Sequence, residues 1–102
     1  MNTINGSDVR RVIIACDAGM GSSALLTSQL SQALAPYGVE VGHAPVDRVP
    51  ADADVVLCHQ ALADRARASA PSSVVKTFTV FLGDPVFDEI VASIKANARL
   101  TG

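Results

Sequence analysis

The chain has 102 residues, of which 49% are hydrophobic and 18% are charged, and its formal net charge is -2. That length suits one domain with a single modest core, and no apolar run approaches the ~18 residues that a membrane span needs. The basic residues are scattered without a dense stripe, which argues against nucleic-acid binding.

The first segment, residues 1–9, is largely polar and lacks the basic and apolar regions of a secretory signal peptide. We therefore predict a flexible tail over residues 1–9, a single domain over residues 10–102 and a cytoplasmic chain. Cytoplasmic thiols are normally kept reduced, so no structural disulfide is expected between Cys16 and Cys58.

Four segments are predicted to be strands. Residues 12–15 and 55–57 are continuous apolar runs, which is typical of central parallel strands that are covered on both faces. Residues 39–42 alternate between apolar and polar, and residues 74–80 are mixed and β-branched. These two segments are therefore predicted to lie nearer the sheet edges.

Three helical patterns alternate with these strands. The first is ended by Pro36 and Gly38, the second spans about residues 60–70, and the third opens with Asp84 as N-cap and Pro85 at the first helical position. The residues predicted to face the core are Leu26, Leu30, Ala33, Leu34 and Tyr37 in the first helix, Leu62, Ala66 and Ala70 in the second, and Phe87, Ile90, Val91, Ile94 and Ala98 in the third.

This alternation predicts a three-layer α/β fold, Rossmann-like, with a four-stranded parallel sheet in the order 2-1-3-4 and flanking helices. The connection over residues 44–54, with its two prolines, is expected to be loose. Ligands of such sheets bind beyond the carboxyl ends of the strands, where the strand order reverses. Cys16 and the pair Cys58-His59 are predicted to lie at that point.

Cys16 ends the first strand and precedes a glycine- and serine-rich turn that leads into a helix. Backbone N–H groups and the positive end of the helix dipole would stabilise a thiolate there and hold a phosphoryl group. We therefore predict phosphate chemistry on sulfur. The predicted phosphate-binding loop consists of Asp17, Ala18, Gly19, Met20, Gly21, Ser22 and Ser23.

Other glycine-rich loops fit this segment less well. A nucleotide-triphosphate loop needs a lysine after its last glycine, where this chain has Ser22. A dinucleotide pattern, G-x-G-x-x-A, does match, with Glu40 downstream, but it leaves the thiol unexplained. A cysteine-dependent phosphatase would have arginine at the position of Ser22. The remaining interpretation is that Cys16 is a nucleophile that accepts a phosphoryl group and passes it on.

Residues 13–24 resemble the active-site segment of IIB components of the bacterial phosphoenolpyruvate-dependent sugar phosphotransferase system, most closely the mannitol type, and weaker likeness continues through residues 54–59, 63–66 and 81–82. The resemblance implies a four-stranded parallel sheet. It also implies that Cys16 takes a phosphoryl group from a phosphohistidine of a IIA component and gives it to a sugar, such as mannitol, at a membrane-embedded IIC component. Finally, the resemblance implies that the chain acts at the inner face of the membrane, through IIC, without inserting into the membrane itself.

Within this mechanism the residues have distinct expected roles. Cys16 is the nucleophile, backbone N–H groups of residues 18–23 hold the phosphoryl group, and Asp17 turns away from the phosphate and orders the loop. His59 either donates a hydrogen bond to the loop or bonds to local backbone. Cys58 is expected to pack as a small hydrophobe. A metal site at Cys16, Cys58 and His59 lacks a fourth ligand, so neither a metal nor a cofactor is predicted.

Partner contact is expected near Met20 and Leu25, although Leu25 equally fits a simple solvent-facing or core position. Two function classes stay open besides the phosphatase. One is the phosphocarrier, and the other is a regulatory or binding module that keeps the IIB fold and senses phosphorylation. Fructose or another hexitol remains an alternative to mannitol.

Overall fold

The computed structural model describes residues 3–16, 21–79 and 85–101. In chain order, its strands and helices are β1 (Thr3–Asn5), β2 (Arg11–Cys16), α1 (Gly21–Leu34), β3 (Glu40–Pro45), β4 (Val55–His59), α2 (Ala63–Ser69), β5 (Val74–Phe78), α3 (Pro85–Ala96) and β6 (Arg99–Thr101). Among these helices, none is both long and apolar enough to cross a membrane.

Strands β2 to β5 form a four-stranded parallel sheet in the order β3-β2-β4-β5. The α/β class and the parallel sheet with flanking helices are therefore confirmed. The predicted order 2-1-3-4 counted only the parallel strands, so its strands 1 to 4 correspond to β2 to β5 of the structure. Strand by strand, the two orders describe the same neighbours.

Each face of the sheet is covered by a separate apolar core. Along β2, Val12 and Ile14 belong to one core and Ile13 and Ala15 to the other, as the alternation of a strand requires. Burial on both faces explains why β2 and β4 are continuous apolar runs. The first core is completed chiefly by Leu26, Leu30 and Leu34 of α1 and Val86, Ile90 and Ile94 of α3, and the second by Val46, Val49, Ala66 and Ala70.

Three residues predicted to face the core are exposed: Ala33, Tyr37 and Ala98. Tyr37 is exposed because α1 ends at Leu34 and the chain turns at Gly38, whose φ of 71° is in the left-handed region that favours glycine. Ala98 lies beyond the end of α3. Pro85 is the first residue of α3, as predicted, and the predicted N-cap Asp84 lies outside the described residues.

The prediction of a flexible tail is wrong for residues 3–9. Strand β1 pairs antiparallel with β6, and Gly6 and Val9 are buried. The N–H of Gly6 donates to the carbonyl oxygen of Ala98 at 2.8 Å, and that of Ser7 donates to Asn97 Oδ1 at 2.9 Å. A three-residue strand has too little periodicity to be recognised, and its partners, Arg99 to Thr101, lie at the far end of the chain.

The connection over residues 44–54 is also not loose. It includes a 3-10 turn, Val46–Arg48, and places Val46, Val49 and Ala53 in the core beneath α2. The N–H of Val49 donates to Ser69 Oγ at 3.1 Å. Prolines and polar residues suggested a loop, but contact with α2 orders it.

Candidate functional site

The carboxyl edge of the sheet brings the ends of β2 and β4 together. Cys16, the last residue of β2, pairs with Pro45 of β3. Ala15 pairs with Cys58 of β4, so Cys16 and His59 are the next residues of two neighbouring strands. Adjacent strands lie about 4.8 Å apart. The predicted proximity of Cys16 and His59 along the sheet edge is therefore confirmed at the level of the backbone.

The predicted phosphate-binding loop is only partly described. Asp17, Ala18, Gly19 and Met20 lie outside the described residues, so the predictions for them stay predictions. The backbone of Gly21, Ser22 and Ser23 forms the first turn of α1. Since the first N–H groups of a helix have no intrahelical partner, this turn provides donors and the positive end of a dipole. The side chains of Cys16, Ser22 and Ser23 are not among those the structure describes.

His59 is half-buried, and its ring is held from two sides. Its Nδ1 accepts a hydrogen bond from the N–H of Ala61 at 3.1 Å, which caps the short turn after β4. Its ring meets the ring of Phe78 edge-on, with 6.0 Å between centroids and 88° between planes. The predicted bond to local backbone is confirmed. The contact with Phe78, from the neighbouring strand β5, was not predicted.

Cys58 differs sharply from a nucleophilic cysteine. It has no exposed surface and packs in the core beneath α2, with Ala15 and Ala66, which confirms its prediction as a small hydrophobe. Burial raises the pKa of the Cys58 thiol to about 11, against a smaller opposing effect of the positive charge of Arg67. Cys58 therefore stays a neutral thiol near pH 7, which leaves Cys16 as the candidate nucleophile.

An ion pair that the sequence did not predict lies close to this edge. Arg65 of α2 forms a bidentate ion pair, here called the fork, with Asp47: Nε lies 3.2 Å from Oδ1 and Nη2 lies 2.6 Å from Oδ2. Hydrogen bonding to Arg65 and its positive charge hold the pKa of Asp47 below its ordinary value, although desolvation opposes them. Asp47 lies just after Pro45, the partner of Cys16. The two charged residues are 18 positions apart, so no local pattern relates them.

Metal ligands and partner-contact residues are the other features that the sequence raises for this edge. Within residues 3–16, 21–79 and 85–101, no group of three or more His, Cys, Asp or Glu side chains is placed to hold a metal ion. Leu25 on α1 is 51% exposed, so of its two predicted positions the solvent-facing one is observed. A partner contact there stays a prediction, and Met20 lies outside the described residues.

Comparisons with known proteins agree on one family. Residues 11–93 match the family model described as "PTS system, Lactose/Cellobiose specific IIB subunit". The chain is 38% identical over 89 residues to a mannitol-specific EIICB component of the phosphotransferase system from Geobacillus stearothermophilus, covering 85% of this chain and 19% of that protein. It is 37% identical over 98 residues to the mannitol-specific EIICBA component of Vibrio cholerae, covering 94% of this chain and 15% of that protein.

A mannitol-specific EIICB component of Bacillus subtilis is 36% identical over 94 residues, covering 90% of this chain and 20% of that protein. The chain thus spans a fifth or less of the length of these relatives. The family model and the relatives name different sugars but the same B component. By sequence over most of its length, this chain belongs to the IIB family of the sugar phosphotransferase system.

Proposed function

We propose that this chain is a phosphocarrier, in which Cys16 accepts a phosphoryl group from a phosphohistidine of a IIA component and passes it to a sugar at a membrane IIC component. The main support is the position of Cys16 at the end of β2, with α1 beginning at Gly21. The N-terminus of a helix that follows closely after a strand suits a phosphoryl group. Membership of the IIB family supports the same chemistry.

In the first step, the Cys16 thiolate attacks phosphorus, and an S–P bond forms as the N–P bond of the donor breaks. The electron pair of the broken bond returns to the imidazole nitrogen. In the second step, a sugar hydroxyl oxygen attacks the same phosphorus, and its proton passes to a base. The S–P bond breaks and its electron pair restores the thiolate, so the carrier leaves the cycle unchanged.

The protein's contribution to these steps is electrostatic. Backbone N–H groups of residues 18–23 hold the phosphoryl oxygens, and the N-terminus of α1 favours the negative charge on sulfur and phosphate. We propose that Asp17 faces away from the phosphate, because two negative charges in contact would repel each other. Its role is then to order the loop through hydrogen bonds.

We propose mannitol as the sugar and the cytoplasmic face of the membrane as the place of action. The support is that the relatives described above are named mannitol-specific and combine C and B components in one protein. Residues 10–102 would then act as one IIB domain. Because a IIB component meets the sugar only through IIC, few of its own residues would select the sugar.

The test is intact mass spectrometry of the chain after incubation with phosphoenolpyruvate, the general phosphotransferase proteins and a mannitol-type IIA domain. We expect the parent chain to gain one phosphoryl group and Cys16→Ser to gain none. The matched control is Cys58→Ala, which should gain one group like the parent, because Cys58 is a buried neutral thiol.

Failure of the parent chain to gain a group from an active, phosphorylated donor would contradict the carrier role. Release of inorganic phosphate from a simple phosphate ester, dependent on Cys16, would instead favour the phosphatase alternative. Phosphorylation of Cys16 with no onward transfer to mannitol in membranes that contain IIC would favour a regulatory module.

A further inference from the structure

The position of His59 at the end of β4 is next to that of Cys16, the proposed phosphoryl carrier, at the end of β2. Cys16 and His59 directly follow the last pair of the β2–β4 ladder, Ala15 with Cys58. The His59 ring contacts Phe78, which belongs to the core beneath α1 and α3. The ring therefore lies on the face of the sheet that α1 covers. A phosphoryl group held between the end of β2 and the start of α1 would lie on that same face.

The cap on Ala61 determines which form of the imidazole is present. Nδ1 accepts the hydrogen bond from the N–H of Ala61, so its lone pair must be available. In a neutral ring this places the hydrogen on Nε2, and Nε2 is then a donor. Protonation of Nδ1 would turn a hydrogen toward the N–H of Ala61 and break the cap. While this cap is made, Nε2 is the ring nitrogen that can donate a hydrogen bond.

Packing limits the movement of this donor. Phe78 meets the His59 ring edge-on and itself packs against Phe87 of α3, with 5.3 Å between ring centroids. With Nδ1 tied to Ala61 and one side against Phe78, the ring keeps its orientation when a charge arrives. A donor that needs no reorganisation stabilises a phosphoryl group more than a mobile one does.

A donor at His59 would also take a role that no cation fills at the position of Ser22. At the position of Ser22, a cysteine-dependent phosphatase would have an arginine that clamps the phosphate. The arginine near this edge, Arg65, is bound in a fork by Asp47. A neutral donor stabilises the phosphocysteine without the strong clamp of a cation, which suits a carrier that must release its phosphoryl group.

We propose that His59 is a phosphoryl-binding residue, in which Nδ1 caps the turn after β4 and Nε2–H donates a hydrogen bond to the phosphoryl group on Cys16. This inference rests on the proposed phosphocarrier function. It assigns His59 one role at each ring nitrogen, and the two roles can be separated by substitution.

Two variants separate the roles. In His59→Asn, the side-chain oxygen takes the place of Nδ1 and retains the cap, but the donor is lost. In His59→Gln, the amide nitrogen reaches the place of Nε2 and retains the donor, but the cap is weakened. The measurement is the equilibrium constant for phosphoryl exchange between the chain and a mannitol-type IIA domain, from the phosphorylated fractions seen by intact mass spectrometry.

We expect His59→Asn to lower this constant about 10-fold or more, the effect of losing one hydrogen bond to a charged group, and His59→Gln to stay within about 3-fold of the parent. A purely structural cap predicts the reverse order. The inference is overturned by an unchanged constant in His59→Asn, or by an equal loss in both variants.

A second measurement uses the unsubstituted chain. Ring ¹⁵N NMR shifts should show an unprotonated Nδ1 and a protonated Nε2 in His59, and the Nε2 resonance should shift when Cys16 is phosphorylated. An unshifted Nε2 in a fully phosphorylated chain overturns the inference and leaves the carrier function intact. A parent chain that never becomes phosphorylated contradicts the carrier function itself, and the inference with it.

Discussion

At the scale of single residues, the burial of Cys58 predicts that this thiol is far less reactive than an ordinary cysteine. Burial raises the pKa of Cys58 from its ordinary 9.0 to about 11. Alkylation requires the thiolate and access to it. We therefore expect iodoacetamide to modify Cys16 but not Cys58 in the folded chain at pH 7, and both cysteines in denaturant, as measured by peptide mass spectrometry.

The raised pKa of Cys58 also makes the free energy of unfolding depend on pH. Below pH 9 the Cys58 thiol is neutral in both the folded and the unfolded chain, so the stability of the folded chain is not reduced by ionisation of this group. As pH rises toward about 11, the unfolded chain releases the proton first, so this contribution to stability is lost. Cys58→Ala should remove this part of the pH dependence. Rapid alkylation of Cys58 in the native chain at pH 7 would contradict the assignment.

At the scale of elements, Asp54 joins the amino ends of three strands. Its Oδ2 accepts from the N–H groups of Arg10 and Arg11 at 2.8 and 3.0 Å. Its own N–H donates to the carbonyl oxygen of Arg11, and its carbonyl oxygen accepts from Val74, both at 3.0 Å. One residue thereby sets the starts of β2, β4 and β5 relative to one another.

Asp54→Ala leaves the amides of Arg10 and Arg11 without this acceptor, and we expect it to lower the free energy of unfolding by about 1–3 kcal/mol. The matched control is Asp52→Ala. Asp52 bonds to the side chain of Arg11 and is mostly exposed, so we expect a loss of less than about 1 kcal/mol. Equal losses in urea unfolding would argue against the role given to Asp54.

At the scale of the whole molecule, Gly6 is where the two ends of the described chain meet. A Cβ at this position would overlap the backbone carbonyl of Ser93 in α3, so one of the two backbones would have to shift, and the N–H of Gly6 is also bonded to Ala98. We expect Gly6→Ala to lower the free energy of unfolding by about 2–3 kcal/mol. Thermal or urea unfolding measures this.

Gly42→Ala is the control for Gly6→Ala. A Cβ at Gly42 would make an ordinary contact, 3.5 Å from Ile13 Cδ1, so we expect a change of less than about 1 kcal/mol. If Gly6→Ala were as mild as the control, the close packing of the amino-terminal segment on α3 would be wrong. The edge that carries Cys16, the proposed site of phosphorylation, lies at the other end of the sheet from this junction. We therefore expect folded Gly6→Ala to remain a substrate for phosphorylation.

The sequence by itself determined the α/β class, the neighbours within the parallel sheet, the burial of Cys58 and the position of Cys16 between a strand and a helix. These are local properties. A continuous apolar run indicates a strand buried on both faces, and proline and glycine mark where helices begin and end. The alternation of strands and helices then leaves few possible sheet orders.

Only the tertiary structure decided the features that depend on distant partners. The pairing of β1 with β6, the fork between Arg65 and Asp47, and the orientation of His59 against Phe78 each join residues 18 to 98 positions apart. None of these contacts changes the local hydrophobic period on which sequence-based prediction relies. They arise because packing of the sheet and helices brings separate short segments together, and the hydrogen bonds formed there order segments that look like loops in isolation.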